Sequence, residues 1–196
     1  MRWPVNPFWD YALELYRKEG VEAACLELQQ RHGVDVNIVL LCCWLGQRGI
    51  AADEAVLARI AEVAEVWQEE VVRPLRAVRG RLKAALTMPQ PGSVAARWPE
   101  LAGALRQRVL ALEIDGERLE QLLLAEFAAG LGPGAAPGVA LASANLAGYG
   151  AFGPPDRVGL ATLLQAAFPD VPASEVAASL GWLEPRSAGQ RPLSQE

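Results

Sequence analysis

Arg73, Arg76, Arg79, Arg81 and Lys83 crowd into one short stretch of an otherwise acidic chain of 196 residues with net charge -5. At about 100° per residue, Arg73, Arg76, Arg79 and Lys83 form one broad stripe, and Arg81 falls apart from them. Guanidinium forks match carboxylate and phosphate oxygens. The stripe could therefore hold a small anion or an acidic protein partner. The plainer reading is a solvated helix end that complements its own dipole and pairs in part with acidic neighbours. The net negative charge argues against general nucleic-acid binding, which needs a basic surface to neutralise phosphates.

Other polar residues lie in apolar surroundings. Asp10 follows Trp9, and Asp35 and Asn37 precede the most apolar segment of the chain. A buried charge needs a partner, so Asp10, Asp35 and Asn37 are candidates for buried polar pairing, with Arg73 or Arg76 as the cation. Asp35 can equally serve as a plain N-cap, and Asp10 as an exposed acid near a helix start. Glu113, Glu117, Glu120 and Glu126 are poorly suited to a di-metal centre, because such a bundle site uses Glu-x-x-His and no such motif is present. Glu117 to Gln121 and the surrounding charges are expected at the surface.

Cys25, Cys42 and Cys43 with the lone His32 offer few metal ligands. No metal and no cofactor are expected, and no catalytic residue can be named. There is no Gly-x-Ser-x-Gly elbow and no phosphate-binding glycine loop after a strand. Three cysteines in helical patterns fit reduced thiols in a cytoplasmic protein. The N-terminus does not read as a signal peptide. The longest apolar run, Ile38 to Leu45, is far short of the about 20 residues that a membrane span needs.

The elements that must position these residues are helical throughout. Asn6-Pro7 opens a helix that Gly20 stops, Val21 to His32 forms a second, and Asp35 caps a third that runs to about Arg48. Asp53 to Leu86 reads as one long helix, acidic first and basic later, kinked by Pro74. Val63, Trp67, Val71, Leu75, Val78, Leu82 and Leu86 are its expected core stripe. After a loop at Thr87 to Ser93, Pro99 starts a second long helix that continues through Asp115-Gly116 to about Ala129. The aromatics Trp3, Phe8, Trp9, Tyr11, Tyr16, Trp44, Trp67 and Trp98 are expected mainly in the core. Residues 130–153 include seven glycines and two prolines, with a short helical turn at Leu141 to Leu146. Helices follow from Asp156 to Phe168 and from Ser174 to Leu180.

The fold class is therefore all-α: a helical bundle of about five main helices, with a Gly/Pro-rich arm and small C-terminal helices. The expected division is a bundle domain at 1–130, a linker or arm at 131–155, a small helical segment at 156–184 and a disordered tail at 185–196.

Asn-Pro-Phe-Trp-Asp-Tyr-Ala-Leu-Glu-Leu-Tyr (6–16), Cys-Leu-Glu-Leu-Gln (25–29), Gly-Val-Asp-Val-Asn-Ile-Val-Leu-Leu (33–41), Trp-Leu (44–45), Trp67 and Val-Val-Arg-Pro-Leu-Arg (71–76) follow one another in order, with Arg79 and Leu82-Lys83 after them. These blocks resemble a domain family of unknown function made of small, uncharacterised proteobacterial all-helical proteins. The likeness covers roughly residues 6 to 130, and Asn145, Leu146 and Tyr149 look like a later match. It implies a bacterial cytoplasmic helical domain and brings no activity with it.

Two functional readings remain. The first, which the residues favour, is a non-enzymatic interaction or regulatory module that uses the Arg73, Arg76, Arg79 and Lys83 face or the C-terminal arm; homo-oligomerisation stays open. The second is a binder of a small anion, or an enzyme, with a pocket at the Pro74 kink.

Overall fold

A computed structural model of the chain describes residues 2–184. The expected tail at 185–196 lies outside the described residues. The protein is all-α, with no strand among those residues. The helices are α1 (Pro7–Tyr16), α2 (Val21–His32), α3 (Val36–Gln47), α4 (Glu54–Trp67), α5 (Arg73–Thr87), α6 (Val94–Arg97), α7 (Pro99–Leu131), α8 (Val139–Tyr149), α9 (Arg157–Ala167) and α10 (Ala173–Ser179). No helix among the described residues is long and apolar enough to cross a membrane.

The backbone chemistry of the ends explains where these helices begin and stop. The Asn6 side-chain oxygen accepts the N–H groups of Phe8 and Trp9, each at 3.2 Å, and Pro7 takes the first helical position. Gly20 and Gly33 adopt the left-handed φ of +77° and +68° that ends one helix and admits the next. Asp35 Oδ1 accepts the Asn37 N–H at 2.8 Å and caps α3.

Two compact units emerge, and each is drawn from two stretches of chain. One comprises residues 2–10 and 55–130; the other comprises 11–54 and 131–184. Residues 11–54 thus share a unit with the Gly/Pro-rich stretch that composition sets apart. That stretch carries α8, longer than the turn expected at Leu141 to Leu146, and its apolar side chains pack on α3.

In this second unit α3 is buried over Ile38 to Gly46 and crosses α8 at close range. A Cβ on Gly46 would stand 2.4 Å from the Ala142 Cβ and 2.6 Å from Ala142 backbone atoms. Gly46→Ala is therefore expected to force the two helices apart and cost about 2 kcal/mol, read as a lower urea midpoint at unchanged slope. Asn145 joins the same pair of helices. Its side-chain oxygen accepts the Ala52 N–H at 2.9 Å, and its amide donates to the Ile50 carbonyl at 3.1 Å and the Cys42 carbonyl at 3.4 Å. The Tyr149 hydroxyl accepts the Asp35 N–H at 2.8 Å. α9 packs on α2, with Gly159 against Ala24.

The first unit contains the rod α4–α5 and the 33-residue α7. Just before Pro74, where the sequence suggests a kink, the helix departs from α geometry. A π-helical turn, Gln68–Val72, takes up the mismatch, and the Arg73 N–H reaches back to the Gln68 carbonyl. Widening the helix by one residue before a proline absorbs the missing donor and the ring clash.

The buried stripe also has a different phase from the expected one. Leu57, Ile60, Ala64, Gln68 and Val72 face inward, whereas Val63 and Val78 are exposed and α5 has no buried residue. On α7 the inward positions are Ala102, Val109, Glu113, Gly116, Glu120, Gln121, Leu124 and Ala128. Small and polar residues thus face the neighbouring helices, and several bulky leucines do not. Trp98, expected in the core, is exposed as well.

Candidate functional site

Four polar side chains of the first unit, Trp67, Gln68, Arg76 and Arg79, converge on α7. Trp67, the last residue before the π-turn, donates its indole N–H to the Gly116 carbonyl at 2.9 Å. Gln68, inside the turn and buried, donates to Glu120 at 2.6 Å. Arg76, on α5, donates from Nε to Glu113 at 3.1 Å and from Nη2 to Glu117 at 2.8 Å. Arg79 donates to both oxygens of Glu113. Arg73 pairs with Glu65 at 2.7 Å and with Glu69 at 3.5 Å.

The widened turn sets the angular offset between these donors. Without it, Gln68 and Arg76 would differ in azimuth by the ordinary helical increment. With one extra residue in the turn, both reach acceptors on a single face of α7, where Glu113, Gly116, Glu117 and Glu120 recur at spacings of three and four.

The electrostatics identify this array as a clamp. Burial by itself would raise the Glu113 pKa, but the hydrogen bonds from Arg79 and Arg76, with their charges, together hold it below the usual carboxylate range. Burial would lower the Arg76 pKa, and the bonds to Glu113 and Glu117 raise it instead. The Arg79 pKa is raised as well, led by its hydrogen bond to Glu113. All three groups stay charged near neutral pH. A carboxylate held ionised by two guanidinium groups is poorly matched to general acid or base work, which needs a pKa near the working pH.

Of the cations expected to form a binding face, Arg73, Arg76 and Arg79 thus meet glutamates of their own unit, and Lys83 is exposed near the end of α5. Among the described residues, neither Asp10 nor Asp35 ion-pairs with Arg73 or Arg76, whose partners are glutamates. Asp10 is exposed in the first turn of α1, where its charge suits the helix dipole. Asp35 is half-buried and spends its side chain on the cap of α3, and Asn37 is half-buried beside it. The glutamates expected at the surface supply the buried partners instead, with Glu113 and Glu120 among the most enclosed polar residues of the chain.

A second polar cluster lies in the other unit. The buried Asp156 accepts the Gly153 N–H at 2.7 Å, Arg31 Nη1 at 2.5 Å and a contact with His32 Nε2 at 2.9 Å. The His32 ring meets Phe152 edge-on at 5.4 Å between centroids. Burial would raise the Asp156 pKa; the bonds from Gly153, His32 and Arg31 outweigh it and lower it. His32 therefore belongs to Asp156 rather than to Cys25. Cys25, Cys42 and Cys43 are free and buried; burial pushes the Cys25 thiol up to about 12 and raises those of Cys42 and Cys43. Nucleophilic thiolate chemistry has no foothold at such positions.

A sequence signal for the clamp existed in the phase of the helices. Gln68 continues the spacing of Leu57, Ile60 and Ala64, and Glu113 and Glu120 continue that of Val109, Gly116 and Leu124. The signal is faint, because polar residues at core spacing look like breaks in an apolar stripe.

No curated protein and no solved structure matches the chain at a significant level. A family described as a protein of unknown function, DUF2390, matches residues 7–124, which covers all of α1 to α5 and most of α7. The matched stretch is more than half of the chain and includes both sides of the Arg76–Glu113 clamp. The chain accordingly belongs to the DUF2390 family of proteins of unknown function.

Proposed function

We propose that this protein is a non-enzymatic interaction module, and that its contact surface is the outer face of α7 rather than the cationic stripe of α5. One observation carries the reading. Leu101, Leu105, Leu112 and Leu119 are 69%, 48%, 55% and 45% exposed, and at about 100° per residue they fall within about 40° of one another. Scattered surface leucines need no explanation, but a contiguous row along one helix marks a contact surface. Lys83 and the exposed Val78 of α5 extend the exposed surface of the same unit.

The competing idea of an anion site at Pro74 has less support. A ligand phosphate or carboxylate would have to displace Glu113 and Glu117 from Arg76 and Arg79. Free thiols at Cys25, Cys42 and Cys43 fit a reducing compartment, which supports a cytoplasmic location.

Affinity capture with the tagged full chain at two salt concentrations tests the reading. Leu105→Glu combined with Leu112→Glu is expected to remove captured partners at both concentrations, whereas Lys83→Glu leaves them in place. Capture unchanged by the leucine substitutions would defeat the proposal.

A further inference from the structure

The exposed row on α7 is a heptad seam. Leu105, Leu112 and Leu119 repeat every seven residues, and Leu101 stands four residues before Leu105. Between the leucines, at the other seam position of the heptad, lie Arg108 and Asp115. Arg108 is exposed and Asp115 half-buried, and neither ion-pairs among the described residues. Two opposite charges, one heptad apart, interrupt an otherwise apolar seam.

That arrangement is self-complementary in only one sense. A parallel second copy would set Arg108 against Arg108 and Asp115 against Asp115, so like charges would face each other. An antiparallel copy, related by a two-fold axis passing close to Leu112, brings each Arg108 within a helical turn of the other copy's Asp115. The same operation lays Leu105 beside Leu119 of the other copy, brings the two Leu112 side chains together, and sets Leu101 beside Leu122. Leucines meet leucines and each arginine meets an aspartate, at both ends of the contact. A two-fold interface must be complementary to itself, and this seam is.

Resting on the interaction reading above, we infer that the occupant of this face is a second copy of the chain, paired antiparallel through α7. Polar layers in a leucine seam specify register and direction at some cost in affinity. From Leu101 to Leu119 the seam is about 27 Å long at about 1.5 Å per residue. That is short for a standard interface, so the dimer forms at micromolar or higher concentration.

Sedimentation velocity on the full chain, from about 1 to about 200 μM, reads this directly. The wild-type mass is expected to climb from 21.0 kDa toward twice that value as concentration rises. Leu105→Glu with Leu112→Glu remains monomeric while its circular dichroism is unchanged, because both side chains are exposed. Arg108→Glu and Asp115→Arg should each raise Kd by at least about tenfold. The two together should restore the wild-type value, since the pair is then reversed in both copies. A heterologous partner cannot produce that rescue.

A wild-type chain that stays monomeric throughout, or a reversed pair that fails to rescue, overturns the inference. If the chain is monomeric and the leucine variant still loses captured proteins, self-pairing is wrong and the interaction reading stands. A dimer indifferent to Leu105 and Leu112 overturns the assignment to this face, and unchanged capture then removes the broader reading too.

Discussion

Asn145→Asp is expected to destabilise the α3–α8 unit by about 4 kcal/mol at neutral pH, a large share of the about 5–15 kcal/mol that holds a typical domain together. Asn145 is buried and uses both ends of its amide: the oxygen accepts the Ala52 N–H, and the nitrogen donates to the carbonyls of Ile50 and Cys42. Aspartate keeps the shape and the first of these bonds. It replaces the donor with an oxygen aimed at two carbonyl oxygens, and it brings a charge with no cation assigned to it. Buried without a partner, a carboxyl takes up a proton more readily than in water. Its folded-state pKa is then raised, so the deficit is smallest at pH below the unfolded value and grows as pH rises through the folded value. Asn145→Ala instead leaves the Ala52 N–H and the two carbonyls without this partner, at about 3 kcal/mol, with little dependence on pH. Urea unfolding at pH 4 and pH 7 separates the two, and amide exchange at Ala52 locates the damage. An aspartate variant as stable as wild type at pH 7 would show that Asn145 does not tie the segment after α3 to α8.

Glu113→Ala is expected to cost the other unit about 3 kcal/mol, at the lower end of the range for breaking a buried ion pair. The cost stays low because the partners, Arg76 and Arg79, are themselves partly exposed and can recover some hydration. The acid dependence has a definite sign. Glu113 is held below the ordinary carboxylate range in the folded state. Its contribution is complete above the unfolded pKa and disappears as pH falls through the folded pKa. The gap between wild type and Glu113→Gln should therefore be wide at pH 7 and narrow as pH falls below about 4. Asp156 is shifted in the same direction and survives in the variant, so the variant retains part of the acid sensitivity. Equal separation of the two unfolding midpoints at pH 7 and pH 3 would mean that Glu113 packs there without electrostatic benefit.

Most of the helices were legible in local chemistry. Asn6-Pro7, Gly20, Gly33 and Asp35 each act on backbone groups within a few residues, so their effect can be read without knowing the neighbours. The apolar α3, with no polar face, belongs at a centre on the same local grounds. The candidate site was only half legible. Arg76 and Arg79 stood out as cations, but their partners lie 34 to 41 residues away on α7. Distance along the chain says nothing about which glutamate a given arginine meets.

Phase was the harder matter. On the rod and on α7, bulky residues mark the eye and small or polar residues mark the contact. Gly116 carries the acceptor for Trp67, and Gln68 lies in the buried stripe, while Leu101, Leu105 and Leu112 face away. Two apolar stripes on one helix cannot be ranked from hydrophobicity alone, since either can be buried by whichever helix arrives. The π-turn before Pro74 shifts the phase again by one residue, at a point where the sequence shows only a proline.

By itself, then, the sequence determined an all-α chain, the ends of its principal helices, its buried central helix and its family blocks, because these follow from hydrogen-bond capping and short-range periodicity. Tertiary structure alone decided that Glu113 is the buried partner of Arg76 and Arg79, that Asp156 gathers Arg31 and His32, and that the leucines of α7 form an outward seam. Those outcomes depend on which helix faces meet, and the free energy of a meeting belongs to both surfaces at once.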